Sequence, residues 1–489
     1  MFYLLTYLSF IFLVQSGQTN VSAVLNAEGL HMMEQGKIKE ATERFRQASQ
    51  ADPKNVEALN NLGVALRRQG DFSTAVLVFQ SALRLQANDA QIYNNLGMSL
   101  HGLDRLYEAL AALKKAVRLT PQDAALHRNL GIMLMESGDD PQSETELRTA
   151  VRLDSRSPEA HYSLARLLAR GKRSSEAFDE YHAALRYAPR QPAVHFELGK
   201  LYKAHGDLEN AGKEFRLALK LDTNNAKFHQ ALGSLFLQIG NLASAESELR
   251  RSLELDPSAG ESHRDLGITL RRQDKLSEAI AELRHATELI PNDSSSHYLL
   301  SQVLQKMSKP DEAAIERRQA ELLIQREKDT SLANAYNNTG TQLLQNGQVA
   351  EAAVKLKEAL RLNPRDPVAQ YNYGLALLLQ DKLDEAITQF HSVLKLKPDD
   401  PNTHYYLGRV LLAKDQVTEA VTYLQEAVRL MPDDARAHNV LGVALAKIKE
   451  IPQALTELET AQHLEPNDPL FQANLACLKQ HLQNCAMTP

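Results

Sequence analysis

The chain repeats itself every 34 residues, thirteen times between Ser22 and Asp468. A period of that length builds an array in which each unit packs only on its neighbours, so the chain needs no single central core despite its 489 residues. Nine units follow without a gap, starting at Ser22, Val56, Ala90, Ala124, Pro158, Pro192, Ala226, Gly260 and Ser294. Five extra residues, Lys328–Leu332, precede four more, starting at Ala333, Pro367, Pro401 and Ala435. Position 8 is Gly in eleven of the thirteen units, position 20 is Ala in twelve and position 27 is Ala in eleven. Small residues at fixed slots let two helices approach closely. Bulky residues at position 24, such as Phe45, Phe79, Leu113 and Tyr181, fill the space beside them.

Each unit reads as two short helices. In residues 57–69 the apolar positions Ala58, Leu59, Leu62, Ala65 and Leu66 follow helical spacing; Gly70-Asp71 breaks the pattern and residues 73–85 resume it. Proline at position 32, as in Pro53, Pro121 and Pro257, stops the second helix because it has no N–H to give. Pro158, Pro192, Pro367, Pro401 and Pro469 stand where a helix begins, where a missing N–H costs nothing.

This register resembles the tetratricopeptide repeat family over about nine-tenths of the chain, with one departure: position 4 is never Trp, which the chain lacks altogether. The resemblance implies an all-α, right-handed superhelical solenoid of thirteen helix–turn–helix units that serves as a general interaction scaffold. The organisation expected is a signal peptide over residues 1–16, a nine-repeat arm over 22–327, an insertion at 328–332, a four-repeat arm over 333–468 and a capping helix over 469–485. The cap would turn Leu470, Leu475 and Leu478 inward and Gln472 and Lys479 toward water. In the ninth unit Ser301 replaces Gly, Arg317 replaces the bulky residue and no Pro follows, so residues 311–328 read as one long charged helix. That joint is either a kink or hinge, or a plain lengthened connection.

The N-terminal residues 2–14 form an apolar stretch too short to span a bilayer, with Val14 and Ser16 suitably modest for cleavage before Gly17. No Lys or Arg precedes it. Export to the periplasm or the cell exterior is expected; the alternatives are an uncleaved N-terminal tether and a misassigned start or buried helix. The two cysteines, Cys477 and Cys485, would stand about 12 Å apart on one helix, too far for a disulfide unless the tail folds back. Three glycosylation tripeptides start at Asn20, Asn292 and Asn337.

A net charge of −6, with 55 basic and 61 acidic residues spread along the chain, argues against nucleic acid as the main ligand. No nucleophile elbow, phosphate loop, zinc helix or CxxC pair occurs, so no enzyme activity and no cofactor are expected. Position 4 is His in His127, His161, His195, His229, His263, His297, His404 and His438. Neighbouring helices lie about 8–10 Å apart, so parallel histidines would not converge on one metal ion. Two readings are stronger: a packing residue, or a pH-sensitive stripe whose protonation near pH 6 loosens the stack.

The resemblance places ligands in a concave groove lined by positions 2, 5, 6, 9, 12 and 13 of the first helices. Those slots hold Asn60, Asn61, Asn94, Asn95 and Asn129, and later Asn337, Asn338 and Asn372. An amide both donates and accepts, so such a ladder can pair with the backbone of an extended peptide whatever its sequence. It is similar to the asparagine ladder in the repeat domain of O-linked N-acetylglucosamine transferase, here without a catalytic domain; ordinary helix-surface composition is the competing reading. Further along, Arg128, Arg166, Arg170, Lys200, Lys203 and Arg271 suit an acidic protein segment or a polysaccharide carrying carboxylates. The sequence thus predicts an exported scaffold for protein segments, or else a substrate-recruiting accessory of a separate transferase or secretion complex.

Overall fold

The turn between the two helices of every unit is made by the same backbone twist. Position 15 has φ between 56° and 86° in all thirteen units, from Gly36 to Lys449. Glycine adopts this conformation without penalty and occupies the slot six times; Asp104, Lys172, Asp274, Ser308, Asp381, Asp415 and Lys449 hold it against their side chains. In the second unit the twist at Gly70 lets the Asp71 N–H reach back to the Leu66 carbonyl at 3.0 Å and the Gly70 N–H to Arg67 at 3.0 Å, which closes the first helix. Asp71 then starts the second by accepting from the Thr74 N–H at 3.1 Å, as Asn55 starts the first by accepting from Ala58 at 3.0 Å.

The computed structural model describes residues 21–479. Among them are 26 helices and no strands, packed in consecutive pairs as an all-α solenoid. The signal peptide, the Asn20 tripeptide, Cys485 and the last residues of the cap lie outside the described residues. None of the described helices is long and apolar enough to cross a membrane.

The packing code works as its residue sizes require. A Cβ built on Gly63 would sit 2.5 Å from the Phe79 ring, one on Gly131 2.6 Å from Leu147, and one on Gly408 2.5 Å from Leu424. In each of the eleven units with glycine at position 8, the partner is the position-24 side chain of that same unit. Phe45, Phe79, Phe215 and Phe390 are completely buried against these glycines.

The described residues divide into two compact units, one of residues 21–153, 347–353 and 367–479, the other of 154–346 and 354–366. The core of the first runs around Phe45, Phe79, Leu113 and Met133 and, in its later repeats, around Phe390, Leu411, Leu424 and Leu458. The second is built on Phe215 and Leu235, then on Leu249, Leu283 and Leu300. The long helix expected over 311–328 is longer still: Pro310–Gln345 is one uninterrupted helix of 36 residues that absorbs the five inserted residues and the first helix of the tenth repeat.

The terminal helix Pro469–Lys479 covers the last repeat with Phe471, Asn474, Leu475, Cys477 and Leu478, leaving Gln472 and Lys479 exposed. Cys477 is disulfide-bonded. This corrects the expectation of separate thiols. The separation expected of the two cysteines counted on one helix running through Cys485, which lies outside the described residues.

Candidate functional site

Asparagines at positions 5 and 6 fall on the first helix of each repeat, where they face the first helix of the next. The position-6 amide of one repeat donates to the position-5 carbonyl of the repeat before it: Asn61 to Asn26 at 3.0 Å, Asn95 to Asn60 at 3.0 Å and Asn129 to Asn94 at 2.8 Å. The same clasp seats the terminal helix, where buried Asn474 donates to buried Asn439 at 2.8 Å. Between Gln230 and Asp265 it recurs in another chemistry, the Gln amide donating to the carboxylate at 3.2 Å. The ladder is therefore partly a structural seam. Each clasp uses one N–H and one carbonyl, so half-buried Asn60, Asn61, Asn94 and Asn95 each keep hydrogen-bonding capacity that the clasps do not take up. Asn129 departs from this, because Arg128 donates to its carbonyl oxygen at 3.2 Å. Asn337 is buried and Asn338 exposed in the second unit, while half-buried Asn372 belongs to the first.

The basic residues are more occupied than their spacing implied. Arg128 lies in the first unit and the other five in the second. Lys200 pairs with Glu197 at 2.9 Å, Lys203 donates to the Ser234 hydroxyl at 2.9 Å, Arg271 donates to Gln302 at 2.6 Å, and Arg166 lies 5.8 Å from the centre of the Tyr162 ring. Exposed Arg170 also has a partner within the chain.

The histidines form the most regular polar feature of the array. Seven of them, His127, His161, His195, His229, His263, His297 and His438, place Nδ1 at 2.5–2.6 Å from a glutamate at position 23 of the same repeat. Nε2 of each lies 3.0–3.2 Å from the carbonyl at position 32 or its equivalent in the preceding repeat. A carboxylate and a carbonyl are both acceptors, so the ring makes both bonds only when both nitrogens carry protons. The pKa of His161 is raised above its ordinary value of 6.5, chiefly by the Glu180 hydrogen bond; Glu214 and Glu282 do the same for His195 and His263. Burial opposes the charge on His438, but Glu457 and the Pro432 carbonyl outweigh it. Protonation therefore tightens the stack, which reverses the expectation that it would loosen it.

The signal was present in the sequence as a pair of columns rather than one. Wherever position 23 is Glu among these repeats, position 4 is His; in the tenth repeat the pair is Tyr336 with Lys355, whose ammonium sits 5.4 Å from the ring centre. The twelfth repeat is the mismatch. Tyr423 stands where the others have Glu, so His404 Nε2 reaches Pro398 O at 2.7 Å while its buried Nδ1 has no hydrogen-bond partner. Tyr423→Glu is expected to complete an eighth clasp and to raise the melting temperature by a few degrees more at pH 6 than at pH 8.5, a charged hydrogen bond being worth about 1.5–3 kcal/mol. Melts of both proteins at the two pH values would check it; a pH-independent change would deny His404 that role.

Residues 21–266, half of the chain, match the family model described as the Cilia and flagella-associated protein 70 C-terminal domain. Residues 343–410, 377–441 and 411–476 match a model of the tetratricopeptide repeat. Similar solved structures include a tetratricopeptide repeat protein from Parabacteroides merdae, at 17% identity over 51% of this chain and 99% of that one, TM-score 0.43. Another is the Cut9–Hcn1 hetero-tetramer of the APC/C, at 15% identity over 94% of this chain and 96% of that one, TM-score 0.38. A third is YrrB, described as a repeat protein with an unusual peptide-binding site, at 21% identity over 38% of this chain and 96% of that one, TM-score 0.33. These likenesses concern the fold alone. Among curated proteins none matches this chain.

Proposed function

Because this chain belongs to the tetratricopeptide repeat family, we propose that it is an exported, non-catalytic scaffold that holds extended protein segments along the amide seam of its first helices. The observation that carries the reading is the geometry of the clasps. They fix the amides of Asn60, Asn61, Asn94 and Asn95 across successive first helices while using only part of the hydrogen-bonding capacity of each. A peptide backbone presents the complementary alternation of C=O and N–H, and a preformed surface loses little freedom on binding it. Each contact would be weak, with affinity gathered over several repeats. The basic residues favour a polysaccharide or acidic ligand less, since each side chain already has a partner within the chain.

Alanine at these positions would break the clasps as well as the binding surface. Asn60→Asp with Asn94→Asp separates the two, because aspartate still accepts from Asn95 and Asn129 while losing the N–H groups that the clasps do not use. In a cross-linked pull-down with the full chain from the cell envelope, the double variant is expected to lose a stoichiometric partner that the unaltered protein retains, with an unchanged thermal melt. Retention of that partner by both proteins would remove the seam from the binding surface.

A further inference from the structure

Within the first unit, two parts of the chain far apart in sequence meet through charge. The start of helix Leu106–Leu119 in the third repeat lies against the turn before helix Pro401–Ala413 and the end of helix Val417–Leu430, both in later repeats. Arg118 donates through Nη2 to both carboxylate oxygens of Asp433 at 2.9 Å, across 315 positions of sequence. Glu108 accepts from Arg429 at 2.9 Å and from Arg105 of its own helix at 2.6 Å. The Tyr107 hydroxyl donates to Asp400 Oδ2 at 3.2 Å, across 293 positions, while Oδ1 of Asp400 caps helix Pro401–Ala413 through the Thr403 N–H at 2.7 Å. A small cavity bounded by Leu106, Pro398 and Leu430 remains between the two sides.

We propose that this contact is a releasable ionic latch, which joins the third repeat to the eleventh and twelfth at low ionic strength and opens as salt rises. Between consecutive helices of the described array, buried apolar side chains such as Phe79 and Leu424 form the core of the contact. Here the bonds are two ion pairs and one tyrosine–carboxylate hydrogen bond: Arg118 and Arg429 are each nearly half exposed, at 48% and 45% of the side chain, and their partners Asp433 and Glu108 are 30% and 18% exposed. Ion pairs with cations this exposed are individually weak and are screened by salt. The carboxylates are nonetheless specifically placed. Glu108 is held below the ordinary carboxylate range by Arg105 and Arg429 although burial works against it, and Arg429 divides itself between Glu426 and Glu108. Asp400 couples the latch to the register of the twelfth repeat, because one carboxylate serves both the helix cap and Tyr107.

The test measures the distance across the contact in the full chain, with fluorophores carried on unnatural amino acids at exposed Thr120 and Thr422. Energy-transfer efficiency is expected to fall by about half between 0.05 M and 1 M NaCl, as the screening length shrinks to about 3 Å. Glu108→Arg with Arg118→Glu should give the low value at both salt concentrations. Adding Arg429→Glu and Asp433→Arg to that variant reverses both pairs together and should restore the salt-dependent high value. Efficiency that ignores both salt and charge reversal would overturn the latch, as would failure of the fourfold reversal to restore it while the far-ultraviolet dichroism shows intact helices.

Discussion

Gly63→Val is expected to melt the second repeat ahead of its neighbours. The added Cβ would meet Phe79 Cε1, Cζ and Cδ1 at 2.5, 2.6 and 2.9 Å, and Phe79 is fully buried, so the ring has no space to withdraw into. Overpacking of this kind costs about 1–3 kcal/mol, and valine adds two further methyl groups beyond the offending carbon. An array held by nearest-neighbour contacts does not spread such a defect over its whole length, so the loss stays local. A dichroism melt should show a new early transition, with proteolytic cleavage opening between residues 56 and 89. Gly63→Ala should be milder, since the fifth repeat accommodates buried Ala165 at the same position with Tyr181 at position 24. A single transition at the unaltered temperature in the valine variant would mean that the close approach at position 8 is not what sets the helix pair.

The histidine clasps make a second prediction, about acid. For His161, His195, His263 and His438 the folded pKa lies above the ordinary 6.5, so folding takes up protons near neutrality. The stability they contribute is fully present below pH 6.5 and is lost as pH rises through the folded values. Each deprotonation leaves one of the ring's two acceptors without its donor, a change of about 1 kcal/mol per ring. The melting temperature should therefore fall by several degrees between pH 6 and pH 8.5. Changing Glu180, Glu214, Glu282 and Glu457 together to Gln should flatten that dependence, because an amide no longer favours the imidazolium. A protein that becomes more stable as pH rises over this interval would refute the assignment.

The helix pairs, their small-to-large packing and the array itself were legible because the same columns recur through thirteen units with few exceptions. The turn was only partly so. Six glycines mark the left-handed position, but Asp104, Lys172 or Ser308 in the same slot look like ordinary polar turn residues until the backbone is seen. The histidines were visible at once, but their partners show only when position 23 is read together with position 4, since Glu180 stands 19 residues from His161 and a single column of histidines says nothing about what faces it. The asparagines, read as ligand-facing, proved to bind one another as well. Their inward half follows from the 35-residue offset between Asn95 and Asn60, one more than the repeat, which sets position 6 of one helix against position 5 of the one before. Nothing local announces that Arg118 meets Asp433: charges at an exposed rim carry no periodic signature.

The 36-residue helix Pro310–Gln345 makes the length of the chain at this joint a matter of angle. At about 100° per residue, the stripe of Ala333, Asn337 and Gly340 is centred roughly 120° round the axis from the stripe of Ala313, Ala320 and Leu323, so the two buried faces of this one helix point in clearly different directions. Loops absorb a gained or lost residue by changing shape; a continuous helix converts it into rotation. Removing one residue anywhere between Leu323 and Ala333 would turn the second stripe by about 100°, and removing all five inserted residues would turn it by about 140° while drawing it in by about 7.5 Å. Only changes close to whole turns, such as seven or eleven residues, would leave its phase intact, so this segment should behave as a gear tooth count rather than as a tether.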